Sequence, residues 1–414
     1  MYQPVQDFYN GRSVFITGVT GFLGKVLLQK LLYQCPGIRK IYVLIRDKKN
    51  TFYEQRLQRI FLSPSLREGR PDELKKVIAI RGDVSELNLG ICSEDAQLLQ
   101  NEVSIVIHMA AIVRFDETLR SLINTNTMGT QRVIEFCYSI KQLKTFVYVS
   151  TAYSQTQDHI IEEKIYNASG TINEVEKVLD EYEMNPKRHK YILPVSNDEV
   201  EKSCGKANEY TLSKALAENL VAEACEKYNL PAIIIRPSII SQSYKDLPGW
   251  IDSWTGATGL YYPAFKGLTH VWRGRETNIL DLIPVDYVVG CIIVATARYY
   301  DGLSEVLVYN ICTSSSNPLT FKHIRILLKK QRKSNKGKYL SILSKTHTLR
   351  KVLQPFTTNS WEIQSTRTES LASTLSTDDR RKYHLDPRDI DWDEYFALYF
   401  PGIEKYLIKP KAQS

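Results

Sequence analysis

Two side chains in the segment YTLSK, Tyr210 and Lys214, have the types and the spacing needed for proton transfer. Residues four apart on a helix lie on one face, so these two side chains are expected to meet. A tyrosine with a pKa of about 10 is a poor acid at neutral pH. An ammonium about 4 Å away would stabilise the tyrosinate by about 4 kcal/mol at an effective dielectric of about 20. The pair therefore predicts that Tyr210 protonates a carbonyl oxygen, although the spacing is common by chance and gains weight only beside a cofactor site.

A third candidate for catalysis is a hydroxyl in the segment STAY, which follows the predicted strand TFVYVS. Ligands of open α/β sheets bind at the C-terminal ends of the strands, where a hydroxyl can hold a carbonyl oxygen. Because neighbouring residues of a strand point to opposite faces, Thr151 is predicted to face the site rather than Ser150. The alternative is that both hydroxyls only cap the next turn. His108, at the end of another strand, is predicted to be a packed residue, because Tyr210 already supplies the proton.

The segment TGVTGFLG, residues 17–24, lies between the first predicted strand and a helical pattern. In this context a glycine-rich loop indicates dinucleotide binding, with the pyrophosphate at the helix N-terminus. Gly18 allows the tight turn, Gly21 lets the backbone approach the pyrophosphate, and Gly24 lets the helix pack on the strand. The alternative is a strand-to-helix turn with incidental glycines.

The end of the second predicted strand, IYVLIRDKKN, distinguishes between the two nicotinamide cofactors. An acidic residue here binds the ribose of NAD, whereas an arginine binds the 2′-phosphate of NADP. Arg46 precedes Asp47, so NADPH is predicted, provided that Arg46 faces the ribose.

The ends of the third and fourth predicted strands add further candidate contacts to the cofactor. Asp83 could reach the adenine amino group, or it could instead cap a turn. Val84 beside it, and Ala110 and Ala111 in the HMAA segment, are also predicted to bind the cofactor.

The elements that must position these residues are seven short, apolar, β-branched runs that alternate with helix-patterned segments. The runs are SVFITG at 13, IYVLIR at 41, VIAIRGD at 77, SIVIHMAA at 104, TFVYVS at 145, AIIIRP at 232 and VLVYNI at 306. Fully apolar strands are expected where helices cover both faces of a parallel sheet. The fold class predicted is therefore α/β, with a doubly wound, Rossmann-like parallel sheet.

The chain changes character after about residue 320. From Lys322 to Lys351 there are eleven Lys or Arg residues and no Asp or Glu. We predict a Rossmann-like NADPH-binding reductase domain with its substrate subdomain at residues 1–320, a basic linker at 321–355, and a small helical C-terminal domain at 356–414.

Composition excludes several classes of protein. A content of 43% hydrophobic and 24% charged residues is that of a globular chain rather than a disordered one. The seven cysteines include no CxxC pair, so neither a metal site nor a disulfide framework is predicted, and a reducing, intracellular compartment is expected. The most apolar run, residues 287–297, is about half the length of a membrane-spanning helix, so no transmembrane helix is expected and any attachment to membranes should be peripheral.

Together these motifs resemble the extended short-chain dehydrogenases/reductases, and within that class the alcohol-forming fatty acyl-CoA reductases. The narrower resemblance rests on HMAAIVRFDETL, NTNTMGT, VYVSTAYS with IIEEKIYN, YTLSKALAENLV, IIIRPSII with LPGWIDSWTGATGL, and DLIPVDYV. These segments cover roughly residues 11 to 325, and FTTNSWEI and IDWDEYFALYFPGIEKYL resemble the C-terminal domain of that family.

The resemblance implies NADPH-dependent reduction of a long-chain fatty acyl-CoA, through an aldehyde, to a primary alcohol with release of CoA. It implies Thr151, Tyr210 and Lys214 as the catalytic residues. The residues that it implies for cofactor binding are Thr17, Gly18, Gly21, Phe22, Leu23, Gly24, Arg46, Lys214 and Pro237. It also implies a peripheral location on the cytoplasmic face of the endoplasmic reticulum, peroxisomes or lipid droplets.

Two other functions remain open from the sequence. A nucleotide-sugar epimerase or dehydratase shares the loop and the catalytic residues, although the tail argues against it. A catalytically impaired protein that binds NADPH or acyl-CoA is the other, because a short basic stretch replaces a longer segment of the family.

Two parts of the chain are predicted to contact a membrane or a substrate. The basic stretch 322–351 should meet an anionic membrane rather than nucleic acid, because no recognition motif accompanies it. The alternative is that this stretch is a solvated linker. Long acyl chains need apolar walls, which the aromatic side chains Trp250, Trp254, Tyr261, Tyr262 and Phe265 could supply unless they form the core. The number of subunits is left open.

Overall fold

The computed structural model describes residues 2–66, 71–114, 117–156, 158–166, 208–267, 274–299, 305–331 and 354–408. The greater part of the basic stretch, residues 332–351, and the end of the tail, 409–414, lie outside the described residues.

The strands of the described residues have mostly buried, β-branched sequences. They are β1 (Ser13–Thr17), β2 (Lys40–Ile45), β3 (Val77–Arg81), β4 (Val103–His108), β5 (Thr145–Val149), β6 (Ile160–Ile161), β7 (Ala232–Pro237), β8 (Ile239–Ser241), β9 (Leu282–Pro284), β10 (Leu307–Ile311) and β11 (Glu362–Ile363). Seven of them pair in parallel in the order β10-β7-β5-β4-β1-β2-β3. These seven are the seven apolar runs of the sequence, so the predicted doubly wound sheet is confirmed.

Helices cover the sheet and form the tail. They are α1 (Val5–Phe8), α2 (Phe22–Gln34), α3 (Tyr53–Phe61), α4 (Pro71–Leu74), α5 (Ser93–Glu102), α6 (Leu119–Leu122), α7 (Met128–Cys137), α8 (Glu209–Tyr228), α9 (Ala257–Phe265), α10 (Val285–Ala297), α11 (Phe321–Gln331), α12 (Gln354–Thr358), α13 (Thr366–Ser373), α14 (Thr377–Lys382) and α15 (Trp392–Tyr406). A π-helical turn, Ile123–Thr127, joins α6 to α7.

The order of the strands reverses beside β1, which has β2 on one side and β4 on the other. Chains leaving the C-terminal ends of β1 and β4 turn away from each other, which opens a crevice there. Ligands bind in such crevices, so the topology fixes the place of the site before any side chain is considered.

Helix α10 is the apolar run noted in the sequence, and nearly all of its residues are buried. A helix that is apolar all round is expected to lie inside a core or a membrane, and at 13 residues this one belongs to the core. Among the described helices, none combines the length and the apolar character that crossing a bilayer requires.

The tail shares its core with the reductase part. Aromatic residues of α15, among them Tyr395 and Phe396, belong to the same hydrophobic cluster as α2 and α10. Gly402 of α15 lies against Gly249, where a Cβ would collide with the Gly249 carbonyl oxygen, so only glycine allows this approach. The proposed division into domains at residue 356 therefore crosses a continuous core.

The segment predicted as a linker begins with a helix. Helix α11 buries Phe321, Ile324, Leu327 and Leu328 and exposes basic side chains on its other side. The apolar residues recur at helical spacing, which the excess of Lys and Arg obscured in the sequence.

Candidate active site

A cavity of about 650 Å³ lies at the C-terminal ends of the sheet strands. The structure brings every predicted site residue except Thr17 to its wall. These are Gly18, Gly21, Phe22, Leu23, Gly24, Arg46, Asp83, Val84, Ala110, Ala111, Thr151, Tyr210, Lys214 and Pro237. Segments far apart in the sequence therefore meet around one space, and the role of each residue stays a prediction.

The glycine loop has the shape that a pyrophosphate requires. Gly18 has a φ of 82° and lies so close to β4 that a Cβ would be 2.7 Å from the Ala110 nitrogen. A Cβ on Gly24 would be 2.5 Å from the Gly18 carbonyl oxygen. A Cβ on Gly21 would meet only the Gly18 oxygen, at 3.4 Å, and would otherwise fill the cavity. No side chain caps the N-terminus of α2, so its first N–H groups suit an anion, and the loop fits a dinucleotide.

Thr17 acts within the protein rather than at the cavity wall. Its hydroxyl oxygen accepts hydrogen bonds from the backbone nitrogens of Met109 and Ala110, both at 3.2 Å, and contacts His108 Nδ1 at 2.7 Å. It therefore fixes the end of β4 against the glycine loop.

His108 is packed, as the sequence predicted. It is fully buried between Thr17 and Thr130, whose hydroxyl lies 3.1 Å from Nε2, and it stacks on Tyr148. Burial, with a smaller effect of Lys214, lowers the pKa of His108 to about 3. A neutral imidazole without access to the cavity is a poor candidate for the catalytic base.

Tyr210 and Lys214 lie in the first turns of α8, which begins at a capping box formed by Asn208 and Thr211. Lys214 Nζ donates a hydrogen bond to the Val149 carbonyl oxygen at 2.7 Å and lies 4.4 Å from the centre of the Tyr148 ring. These contacts hold the ammonium group beside the end of β5, where Thr151 follows.

The pKa values of Tyr210 and Lys214 differ from those that the sequence predicts. The sequence predicts that Lys214 lowers the pKa of Tyr210, but in the structure burial raises it. The phenol therefore keeps its proton at neutral pH. Burial also lowers the pKa of Lys214 to about 7, although the nearby Glu218 carboxylate opposes this shift. Low dielectric penalises both charged forms, an effect that sequence spacing does not reveal.

Replacing Lys214 with Met should stabilise the protein at low pH. The pKa of Lys214 is about 7 in the folded state and about 10.4 in the unfolded chain, so stability rises with pH between these values. Below pH 7 both states carry the charge and only the folded state has to bury it. Lys214→Met should therefore raise the free energy of unfolding by about 2 to 4 kcal/mol at pH 6, with the gain shrinking towards pH 10. Urea denaturation at both pH values measures this, and an equal or lower stability of the variant at pH 6 would contradict the assignment.

The Thr151 side chain caps a turn, and the residue also lines the cavity. Its hydroxyl oxygen accepts a hydrogen bond from the Tyr153 nitrogen at 3.3 Å and so caps the short turn Ala152–Ser154. Its own proton can still be donated to a carbonyl oxygen in the cavity. Ser150 also reaches the cavity, so the structure leaves both hydroxyls available.

Near Arg46, which the sequence predicts to bind the cofactor, the cavity wall contains a second arginine, Arg56, that the sequence did not indicate. Arg46 is half-exposed, and its Nη1 donates to Asp83 Oδ2 at 3.0 Å. Asp83 also accepts from the Ser85 nitrogen at 3.0 Å, so it caps a turn as well as lining the cavity. Arg56 of α3 lines the same cavity and donates to the Thr20 hydroxyl at 3.3 Å. No motif marks Arg56, because it reaches the site from a helix outside the loop.

None of the aromatic residues considered for the acyl-chain wall lines the cavity, and four of the five belong to the core. Trp250, Tyr261, Tyr262 and Phe265 are at most 2% exposed and do not line the cavity, and Trp254 is exposed. The apolar residues that do line the cavity include Ile112, Val113, Tyr153, Ile239, Ile240, Leu260, Leu280 and Phe356.

Phe356 belongs to the tail, and its ring packs on that of Tyr153 with the two ring centroids 4.9 Å apart. Thr357 beside it also lines the cavity, and its carbonyl oxygen accepts from Asn278 Nδ2 at 3.0 Å. The tail therefore completes the wall of the site, which the sequence indicated only through the resemblance of FTTNSWEI to the family.

The π-helical turn connects two parts of the site. Asn126 donates to the Ile112 carbonyl oxygen and accepts from the Ile112 nitrogen at 2.8 Å. Its amide also donates to the Ser213 hydroxyl at 3.0 Å, between Tyr210 and Lys214 in the sequence. This residue aligns the loop after β4 with helix α8.

The fold and the site define a nicotinamide-dependent oxidoreductase of the extended Rossmann-like class. Solved structures with this fold include the terminal R domain of the myxalamid biosynthetic pathway, at 20% identity and a TM-score of 0.71 over 96% of this chain and 91% of that chain. The reductase domain of a non-ribosomal peptide synthetase from Mycobacterium tuberculosis matches at 20% identity and a TM-score of 0.63, over 95% and 92% of the two chains.

Sequence comparison identifies the family. Models of the male sterility protein family match residues 16–292, as an NAD-binding domain, and residues 319–410. Fatty acyl-CoA reductase 1 of Xenopus laevis is 32% identical, and fatty acyl-CoA reductase 2 of Homo sapiens is 31% identical, each over 98% of this chain and 86% of the relative. The chain belongs to the fatty acyl-CoA reductase family, which decides against the nucleotide-sugar alternative.

Proposed function

We propose that this protein reduces long-chain fatty acyl-CoA to a primary alcohol with NADPH and releases CoA. The observation that carries the proposal is that the glycine loop, Tyr210 with Lys214, and an apolar wall completed by Phe356 all meet around one cavity. Such a cavity can bring a nicotinamide ring, a carbonyl group and an acyl chain together.

The residues of the chain divide the work of carbonyl reduction. NADPH, when bound, supplies the hydride. The bond between the thioester carbon and the CoA sulfur then breaks, which releases CoA and leaves an aldehyde, and the aldehyde is reduced in turn. Thr151 holds the carbonyl oxygen by a hydrogen bond, and Tyr210 donates its proton to that oxygen as negative charge develops. The ammonium form of Lys214 stabilises the resulting tyrosinate, whose formation burial makes costly. The apolar wall excludes water and packs against the acyl chain.

An assay with several acyl chain lengths tests the function. Purified protein is incubated with NADPH and acyl-CoAs, and NADPH oxidation, free CoA and alcohol are measured. Reduction to an alcohol takes two hydrides, and one glycine loop is present, so the oxidised cofactor must be replaced between the steps. Two NADPH should be consumed for each CoA released. A ratio of one to one with accumulating aldehyde contradicts alcohol formation, and the absence of any turnover favours the impaired binding protein.

The choice of NADPH should depend on two arginines. Arg46→Ala and Arg56→Ala should each weaken NADPH binding by about 1.5 to 3 kcal/mol and leave NADH binding nearly unchanged, because only NADPH has the 2′-phosphate for a charge-assisted contact. Arg59→Ala, an exposed position on the same helix, is the control. Binding is measured by titration of nicotinamide fluorescence. Equal losses of affinity for NADPH and NADH would show that these arginines do not bind the 2′-phosphate.

The basic stretch is proposed to attach the protein to the cytoplasmic face of the endoplasmic reticulum, peroxisomes or lipid droplets. In its described part, α11 exposes Lys322, Arg325, Lys329 and Lys330 opposite its buried face. Each basic side chain near an anionic surface contributes about 1 kcal/mol, and salt weakens the attraction.

Sedimentation with liposomes measures this attachment. Binding should require anionic lipid, and replacing the lysines of residues 322–351 with Gln should reduce it. Absent binding, or binding indifferent to lipid charge and to these substitutions, would contradict the proposal.

A further inference from the structure

A fully buried ion pair joins Glu218 of α8 to Arg236 of β7, and both side chains are 0% exposed. Arg236 Nε and Nη2 donate to the two carboxylate oxygens at 2.9 and 2.7 Å, a bidentate geometry that fixes the carboxylate. Ser154 Oγ donates to the same carboxylate at 2.9 Å. Burial opposes ionisation, but Arg236 and these hydrogen bonds outweigh it and lower the pKa of Glu218, so the residue is a carboxylate at neutral pH.

The pair has a particular place relative to the catalytic residues. Tyr210, Lys214 and Glu218 follow one another at intervals of four residues on α8 and so lie along one face. Glu218 is one helical turn beyond Lys214, on the side away from Tyr210. Neither Glu218 nor Arg236 lines the cavity, so neither touches substrate or cofactor.

The other groups that face Lys214 carry no negative charge. His108 from β4 and Tyr148 from β5 are neutral, because burial lowers the pKa of the first and raises that of the second. Tyr210, on the same helix, is neutral as well. Arg236 lies behind Glu218 on β7. Among the described residues, Glu218 is the anion that acts on Lys214.

Stability alone is a weak reason for such a pair. Burying two charges costs several kcal/mol for each ion, and apolar replacements of similar volume are often as stable. The hydrogen bonds of this pair reach the elements that carry the site. Ser154 belongs to the turn after Thr151, and Arg236 precedes Pro237 at the cavity wall. Arg236 also donates to the carbonyl oxygens of Glu162 and Lys164, at 3.2 and 2.9 Å.

We propose that Glu218, held by Arg236, is a positioning residue that keeps Lys214 protonated and aligned with Tyr210. It acts through Lys214, whose ammonium form stabilises the tyrosinate. The inference rests on the reductase function proposed above. It adds a requirement to that function, namely a fixed negative charge one turn behind the lysine.

The pH dependence of turnover tests the charge. Glu218→Gln keeps the shape and an oxygen that accepts from Ser154, but it removes the charge and the hydrogen bond that Arg236 Nη2 donates. Lys214 should then lose its proton at lower pH. The pH above which kcat falls, the alkaline limb of its pH profile, should therefore be lower by about one pH unit or more. KM for NADPH and acyl-CoA should stay within about twofold of the wild-type values. Glu223→Gln is the matched control, because Glu223 lies on the same helix with Lys227 four residues on, but both are exposed. Glu223→Gln should not change the pH at which kcat falls on the alkaline side.

A second measurement does not need activity. In a double-mutant cycle at pH 6, Lys214→Met should raise the melting temperature more in the Glu218→Gln background than in the wild type, because the buried ammonium has lost its counter-charge. Additive effects would overturn the proposal. If the wild type proves inactive with acyl-CoA, the proposed function fails while this cycle still decides the role of Glu218.

A further variant covers the case in which Glu218→Gln does not fold. Glu218→Met with Arg236→Met replaces the pair by apolar side chains of similar length. If this variant folds and binds NADPH, its alkaline limb should still be shifted to acid pH relative to the wild type. A limb at the wild-type position in the folded variant would show that the pair is only structural and would overturn the proposal.

Discussion

Tyr210→Phe is expected to lower kcat by a factor of about 10² or more, the usual contribution of a general acid. The substitution removes one oxygen from a partly buried ring that lines the cavity, and it leaves the glycine loop and its contacts untouched. NADPH affinity and the melting temperature should therefore change little. Single-turnover reduction of an acyl-CoA measures the loss without a contribution from product release.

Tyr228→Phe is the control for this prediction. Tyr228 is the last residue of the same helix, and 64% of it is exposed. Its substitution should leave kcat within about twofold, since exposed substitutions rarely have large effects. If Tyr210→Phe turns over at a rate near that of the wild type, another group must donate the proton. His108 is excluded from that role by its burial, so a hydroxyl at 150 or 151 would be the next candidate.

Gly21→Ala is expected to weaken cofactor binding strongly without unfolding the protein. The added Cβ meets only the Gly18 oxygen, at 3.4 Å, which is an ordinary contact, but it projects into the space where a pyrophosphate would approach the backbone. Loss of even one or two charge-assisted hydrogen bonds weakens binding about 10- to 10³-fold. Fluorescence titration with NADPH, with thermal melting in parallel, separates binding from folding.

Gly24→Ala provides the contrast to this variant. Its Cβ would lie 2.5 Å from the Gly18 oxygen and 2.6 Å from the Val19 Cα, so it collides with backbone rather than with a ligand. It should lower the melting temperature itself. If Gly21→Ala binds NADPH as the wild type does, the dinucleotide does not approach the loop at this glycine.

The sequence predicts the sheet well because the strands of a sheet covered on both faces are apolar throughout. β1 and β5, for example, are buried at every position and stand out as continuous runs. The glycine loop is equally visible, because Gly18 and Gly24 are required by backbone contacts that another residue would break. Local patterns of this kind need no knowledge of tertiary contacts.

Other parts of the site depend on tertiary contacts and were missed. Arg56 and Phe356 reach the cavity from elements far from the catalytic motifs, and no local pattern shows where their side chains point. The shifts in the pKa of Tyr210 and Lys214 arise from burial, which spacing along a helix does not report. The aromatic cluster around Tyr261 was ambiguous, because core and ligand wall favour the same residue types.

The burial of α10 has a consequence for synthesis on the ribosome. This apolar helix is covered partly by the tail, where His384 packs against Gly290. Tyr406, at the end of α15, is translated 121 residues after Val285 at the start of α10. At about 5 to 20 residues per second, the side of this helix that faces the tail stays uncovered on the nascent chain for roughly 6 to 24 s. A ribosome stalled before the tail should therefore leave a chain that aggregates, or that a chaperone binds, rather than one that folds without its last helices.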